Sequence, residues 1–168
     1  MRYTPNKVKW LLRFYPPFLF QRIWVKNISP GYTGADVKIR KSFLNLNANR
    51  TIFGGTIFSA IDPIYPVLID AYIRSHGFKK TVAWLKSARI EYKKPGHRSL
   101  HFSVRLNEKE MESILHTIRE EGKVIRTFST DIFDNDGIHC ATVHNEVYIR
   151  NLQFDNNLNN TSTKHKGL

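Results

Sequence analysis

From Asn47 to Ile73 the chain reads NANRTIFGGTIFSAIDPIYPVLIDAYI, and polar side chains are scarce after Arg50. The run is too long for a single strand. A helix that is apolar nearly all round has to be enclosed by other structure. The rest of the chain must therefore supply a layer that wraps one buried helix. Two irregularities interrupt the run, Gly54–Gly55 near its start and Asp62–Pro63 near its middle.

The flanking segments read mostly as strands. Val37 and Ile39 alternate with Lys38 and Arg40, which predicts a strand over Asp36–Leu46. Trp84, Ala88, Ile90 and Tyr92 share one parity and predict another, closed by Lys93–Lys94–Pro95–Gly96. Leu100, Phe102, Val104 and Leu106 alternate with His101, Ser103 and Arg105. Asn107 with Glu110 forms a capping box for a short helix cored by Met111, Ile114, Leu115 and Ile118 and stopped at Gly122. Strands over Lys123–Phe133 and Ile138–Arg150 follow, joined at Asp136–Gly137, a hairpin signal. Runs of strands with segregated helices predict an α+β domain built on an antiparallel sheet.

Ahead of the sheet, Trp10, Leu11, Phe14, Tyr15, Phe18, Leu19 and Ile23 recur at helical spacing among Lys9, Arg13 and Arg22. They predict an amphipathic helix over Lys7–Trp24, bent at Pro16–Pro17. A helix with one apolar face ordinarily packs on its own domain, which is the expectation here. A membrane-surface or acyl-chain-contacting element is the other reading. The chain thus divides into an N-terminal helical segment (1–35), a main domain (36–150) and an Asn/Thr/Lys-rich tail (151–168) expected to be disordered.

At 168 residues and 41% hydrophobic content, one domain with one core is the expectation. The single Cys140 excludes an internal disulfide framework and any multi-cysteine zinc site. The histidines show no metal-ligand spacing, so no metal is expected. Lys and Arg number 26 against 14 acids, a net charge of +12. Residues 1–35 hold six Lys/Arg and no acid. Such a field draws polyanions in general: nucleic acid, anionic lipid or a phosphate-bearing small molecule. No RRM, KH, zinc-finger or helix-turn-helix signature is present, so nucleic acid is not the expected partner. No uninterrupted apolar stretch of roughly 20 residues and no signal-peptide pattern is found, and a soluble, cytoplasmic protein with no membrane span is expected.

The element order, the segment NANRTIFGGTIFSAIDPIYPVL and the strand end IEYKKPG resemble the hotdog fold. More narrowly, residues 7–150 resemble the tetrameric acyl-CoA thioesterases, which carry a similar FGG…DP helix and a proline-rich N-terminal helix. The resemblance implies a central helix cradled by a curved antiparallel sheet. It also implies a homodimer or homotetramer, with acyl-thioester sites at the dimer interface. In hotdog thioesterases of the phenylacetate-pathway type, a His-Gly-Gly turn is preceded by an Asn and followed by a helical Asp. With Phe53 in the histidine position, Asn47 lies six residues before, Gly54 and Gly55 follow, and Asp62 lies nine residues after. Asn45 and Asn49 flank Asn47. The histidine is replaced by Phe53, so no imidazole role carries over.

That resemblance implies catalytic roles for Asp62, Asn47, Gly54 and Gly55. Backbone N–H groups at a helix start can hold a developing oxyanion, and glycine lets a thioester approach closely. A carboxylate within an apolar helix has a raised pKa, which suits a general base. Asp-Pro is equally a good start for a new helical segment, so Asp62 has a capping role as its alternative. By parity Lys86 shares a face with Trp84 and Ala88 and would point inward toward Asp62 or substrate, unless a bulge turns it out. Ser87 is the polar group available if the register slips. Lys93, Lys94 and Arg98 could hold CoA phosphates or form a solvated turn. No cofactor is expected, because CoA belongs to the substrate. A non-catalytic acyl-thioester-binding protein is the alternative function.

Overall fold

The computed structural model describes residues 4–154. In chain order it contains α1 (Pro5–Phe14), α2 (Pro16–Phe20), β1 (Ile23–Ile28), β2 (Gly34–Ile39), α3 (Gly54–Ile61), α4 (Ile64–Ser75) and β3 (Thr81–Tyr92). Then follow β4 (Leu100–Arg105), α5 (Glu108–Glu121), β5 (Lys123–Asp134) and β6 (His139–Asn151). All strand pairs are antiparallel, and the sheet order is β1-β2-β4-β5-β6-β3. The sheet wraps α3 and α4, which together form the central helix, so this α+β domain has the hotdog fold.

The apolar run does what its composition requires. Ile57, Ala60 and Ile61 of α3 and Ile64, Leu68, Ile69 and Ile73 of α4 are buried, against Val37, Phe102, Val143 and Val147 of the sheet. Each buried branched side chain contributes roughly 1.5–3 kcal/mol relative to exposure. By length and composition alone, Gly54–Ser75 could cross a membrane; here it is mostly enclosed as the core helix. The helix over α5 also forms as its sequence predicts. Asn107 accepts the Glu110 N–H at 2.7 Å, and Gly122 ends the helix at φ 74°.

Several boundaries differ from the sequence reading. The N-terminal helix stops at Phe20, and Ile23–Ile28 is a sixth strand lying inside the segment expected to be helical. Pro16–Pro17 restart the helix for only a short turn, and Arg22 at φ 60° turns the chain into β1, where Ile23 and Val25 are buried. The strand predicted over Asp36–Leu46 ends at Ile39, and Ser42 caps a 3₁₀ turn over Phe43–Asn45. The central helix begins only at Gly54, after a loop closed by the Leu46–Ile52 bridge.

The face assigned to β3 also needs correction. Leu85 pairs with Val147 and Ser87 with Glu146, leaving Lys86 as an extra residue in a bulge. The bulge inverts the parity of everything after it. Trp84 therefore lies on the outer face, its ring 4.5 Å from that of Tyr148, while Ala88, Ile90 and Tyr92 lie on the helix side. The disordered tail expected over 151–168 lies outside the described residues beyond Phe154, and Asn151 closes β6.

Candidate active site

Helix α3 starts at the end of a tightly held loop. The Phe53 N–H donates to the Asn45 carbonyl at 2.9 Å, and the Ile52 N–H to the Gly96 carbonyl at 3.0 Å. The second bond fixes the basic turn beside the start of α3. Phe53 is the N-cap residue but offers no side-chain cap. The N–H groups of Gly54 and Gly55 have no acceptor among the described residues, as first-turn donors do not. A β-carbon at residue 54 would meet the Tyr92 phenol and one at residue 55 the Phe53 ring, both exposed side chains that would have to turn aside.

Gly55, Phe58 and Ser59 follow one another at helical spacing, and Asp62 continues that stripe. Gly55, Phe58 and Ser59 form one wall of a cleft of about 410 Å³, closed on the other side by Gln21, Leu44 and Leu46. Asp62 is half-buried at the end of α3, and its carboxylate has no hydrogen-bond or ion-pair partner among the described residues. Burial alone pushes its pKa above the ordinary carboxylate value. It does not cap α4: Pro63 occupies the N-cap position and no side chain caps that helix. The capping alternative thus has no bond to support it.

Asn47 is placed differently from the role the resemblance implies. Its Oδ1 accepts the N–H groups of Asn49 and Thr51 at 3.0 and 3.1 Å, and its Nδ2 donates to Thr51 Oγ1 at 2.9 Å. Both ends of the amide hold the 47–51 turn. Asn45 is likewise committed, donating to the Gln21 and Arg40 carbonyls and accepting the Ser42 N–H.

Lys86 and Ser87 do not join α3. The bulge carries both to the outer face, where Lys86 Nζ and Ser87 Oγ reach the two carboxylate oxygens of Glu146 at 2.6 and 2.8 Å. The hydrogen bonds from Lys86 and then Ser87 hold Glu146 below the usual carboxylate range. In the basic turn, Lys93 pairs with Glu91 at 2.5 Å and Arg98 with Asp136 at 2.8 Å. Lys94 is exposed, with no side-chain partner among the described residues.

Three further side chains stand at this site: Phe58, Ser59 and Tyr92. Phe58 and Ser59 were findable from their helical spacing to Asp62. Tyr92 was visible as a strand-end aromatic, but not as the neighbour of Gly54. A fourth group, Asn145, gave no sequence signal. It lies between Ala88 and Phe128 in the sheet, wholly buried, and neither Oδ1 nor Nδ2 has a partner among the described residues.

A search of curated proteins by sequence gives no match. Solved structures do match in fold. A Pseudomonas aeruginosa protein described as of unknown function, "Probable Thioesterase", is 13% identical, with a TM-score of 0.72 over 89% of this chain and 97% of its own. A thioesterase of Haemophilus influenzae is 10% identical, with a TM-score of 0.64 over 90% and 94%. The E. coli PaaI protein, from the phenylacetic acid degradation operon, is 14% identical, with a TM-score of 0.61 over 84% and 89%. At these identities the likeness establishes the fold alone, the hotdog fold. The sequence family that matches is described as a domain of unknown function, DUF4442; the match spans residues 6–149, and this chain belongs to that family.

Proposed function

We propose that the protein is a thioester hydrolase acting on acyl-CoA, with Asp62 as general base or nucleophile. The observation that carries this reading is the Asp62 carboxylate, half-buried and without a partner among the described residues, one helical turn beyond Phe58 and Ser59, which wall the cleft. A carboxylate so placed is raised in pKa and available to react. The thioester carbonyl oxygen would meet the N–H groups of Gly54 and Gly55, which suit an oxyanion. Asp62 then takes a proton from an attacking water. The C–S bond breaks, and the departing CoA thiolate receives that proton. Direct attack by Asp62 gives an acyl anhydride that water hydrolyses, with the same products.

Lys94 supports a CoA substrate, because the Ile52–Gly96 bond holds its turn beside the helix start. A second subunit is part of the reading. Among the described residues strand β3 ends the sheet with its outer edge unpaired, and Tyr92, beside the helix start, and Ala88 are exposed in one chain. An edge that long needs covering, and a second β3 would supply it. A cytoplasmic setting is consistent with the free, buried thiol of Cys140.

Thiol release over an acyl-CoA chain-length series, with Asp62→Asn as control, tests the proposal. Turnover by wild type that is lost in the variant is expected. A second reading rests on Phe53, whose ring lies over Gly55 and lines the cleft: binding of acyl thioesters without hydrolysis. Saturable binding with no thiol release by wild type would favour it.

A further inference from the structure

Helix α1 has two apolar faces, and the fold uses only one. Val8 and Leu12 pack inward, and Arg13 fastens the helix to β1. Trp10, Leu11 and Phe14 face outward, and Leu19 and Phe20 of the adjoining α2 are exposed as well. The 3₁₀ turn at Phe43–Asn45 joins it through the Asn45–Gln21 bond and adds Phe43, which is 84% exposed. Leu11, Phe14 and Phe20 are each more than 60% exposed. Isolated surface hydrophobics need no explanation, but six large ones on three adjoining elements do.

Charge identifies what covers it. The first 35 residues contain no acid; Lys7 lies one and two helical turns before Leu11 and Phe14, and Lys9 Nζ lies 5.9 Å from the Trp10 ring centroid. Asp36, the first acid after them, is taken up by Arg105 and Ser103. Aromatic and aliphatic side chains interleaved with cations on short helices make an interfacial surface: rings enter the headgroup boundary and cations meet lipid phosphates. A second copy of the chain placed face to face would oppose cation to cation. An anionic bilayer opposes them with the complementary charge.

We propose that the outer face of α1–α2 and the Phe43 turn docks peripherally on anionic membrane surfaces. The cleft shares Gln21 and Leu44 with this region, so its mouth lies beside the docking face. The proposal stands on the patch and its charge, independently of whether the site hydrolyses thioesters.

Vesicle co-sedimentation tests it. Wild-type protein should pellet with phosphatidylcholine vesicles containing phosphatidylglycerol, and at least roughly tenfold more weakly with phosphatidylcholine alone. Added salt should weaken the anionic binding. Leu11→Ser/Phe14→Ser/Phe20→Ser should abolish it with an unchanged circular dichroism spectrum, since all three side chains are exposed. Lys7→Gln/Lys9→Gln should weaken it about thirtyfold on anionic vesicles, at roughly 1 kcal/mol per cation. Two results overturn the proposal. One is vesicle binding that survives the serine variant. The other is light scattering in which that variant dissociates an oligomer that wild type forms without lipid, which assigns the patch to a second copy.

Discussion

The phenol of Tyr92 occupies the space that a β-carbon on Gly54 would need, with its oxygen 2.8 Å and its Cζ 2.9 Å from that position. The end of edge strand β3 and the first residue of the central helix are therefore packed against each other. Tyr92 is 56% exposed, so its ring, rather than the backbone, is what would move. Gly54→Ala should lower Tm by no more than about 4 °C, equivalent to roughly 1 kcal/mol in a chain of this size. The combination Gly54→Ala/Tyr92→Ala should lose less than the sum of its parts, because the clash is shared. A double-mutant cycle by thermal unfolding checks this; additive losses would mean that the two residues do not meet.

Asp62 gives a prediction in two directions. Burial raises its folded pKa above the ordinary 3.8. A raised carboxyl binds its proton more tightly when folded, so the charged form opposes folding once the pH exceeds both values. Asp62→Asn should therefore unfold at higher temperature than wild type at pH 7. The advantage should fade as the pH falls through the folded pKa and be gone below about 3.8. The same substitution should cost roughly 10²–10⁴-fold in acyl-CoA turnover. Asp62→Ala should lose turnover equally without the Tm loss a helix cap would show. Calorimetry across pH beside a thiol-release assay separates the two effects.

Of the three cations in the turn, Lys93 and Arg98 already face carboxylates. Lys94→Gln should therefore raise KM for an acyl-CoA more than Lys93→Gln or Arg98→Gln does. A pantetheine thioester, which lacks the nucleotide phosphates, should be insensitive to all three. Salt should shrink the Lys94 effect. Equal changes for the three variants would place the phosphates elsewhere.

Arg13 carries a stability prediction. Its Nε donates to the Val25 carbonyl at 2.8 Å and its Nη2 to the Lys26 carbonyl at 3.2 Å. The guanidinium carbon lies 4.5 and 4.2 Å from the ring centroids of Trp10 and Trp24. Arg13→Met should cost about 2–4 kcal/mol in urea unfolding, because two charge-assisted bonds vanish. Lysine should restore little, since an ammonium cannot both fork to two carbonyls and stack.

Asn145 should behave in the opposite sense. A buried amide with both ends unpaired opposes folding by about 1–3 kcal/mol per group. Asn145→Leu should raise Tm, and a fall in acyl-CoA turnover alongside it would mark the amide as one that substrate satisfies.

The elements legible in the sequence differ from the hidden ones in one physical respect. The central helix, α5 and the β5–β6 hairpin were legible because each has a local cause: an unbroken apolar run, Asn107 with Gly122, and Asp136–Gly137. β1 was hidden because Ile23 continues the helical spacing of Leu19, and the positive φ at Arg22 that breaks it leaves no mark in the sequence. At the candidate site, Asp62 stood out as a charge within apolar neighbours. Three asparagines within five residues looked interchangeable, and only the hydrogen bonds distinguish Asn45 and Asn47 as turn residues. The outer aromatics of α1 were legible as apolar but not as exposed, since periodicity cannot count how many faces a fold will use.

The bulge at Lys86 also sets how much insertion and deletion the sheet can absorb. Leu85 and Ser87 already pair with the adjacent residues Val147 and Glu146, so the ladder skips Lys86. A chain lacking residue 86 would keep every partner on both sides and simply straighten. Removing a residue elsewhere in β3 would instead slide Tyr92 away from Gly54 or Trp84 away from Tyr148. Length variation in this strand among related sequences therefore belongs at one position, and an alignment gap placed anywhere else in β3 would misassign which of its side chains see the central helix.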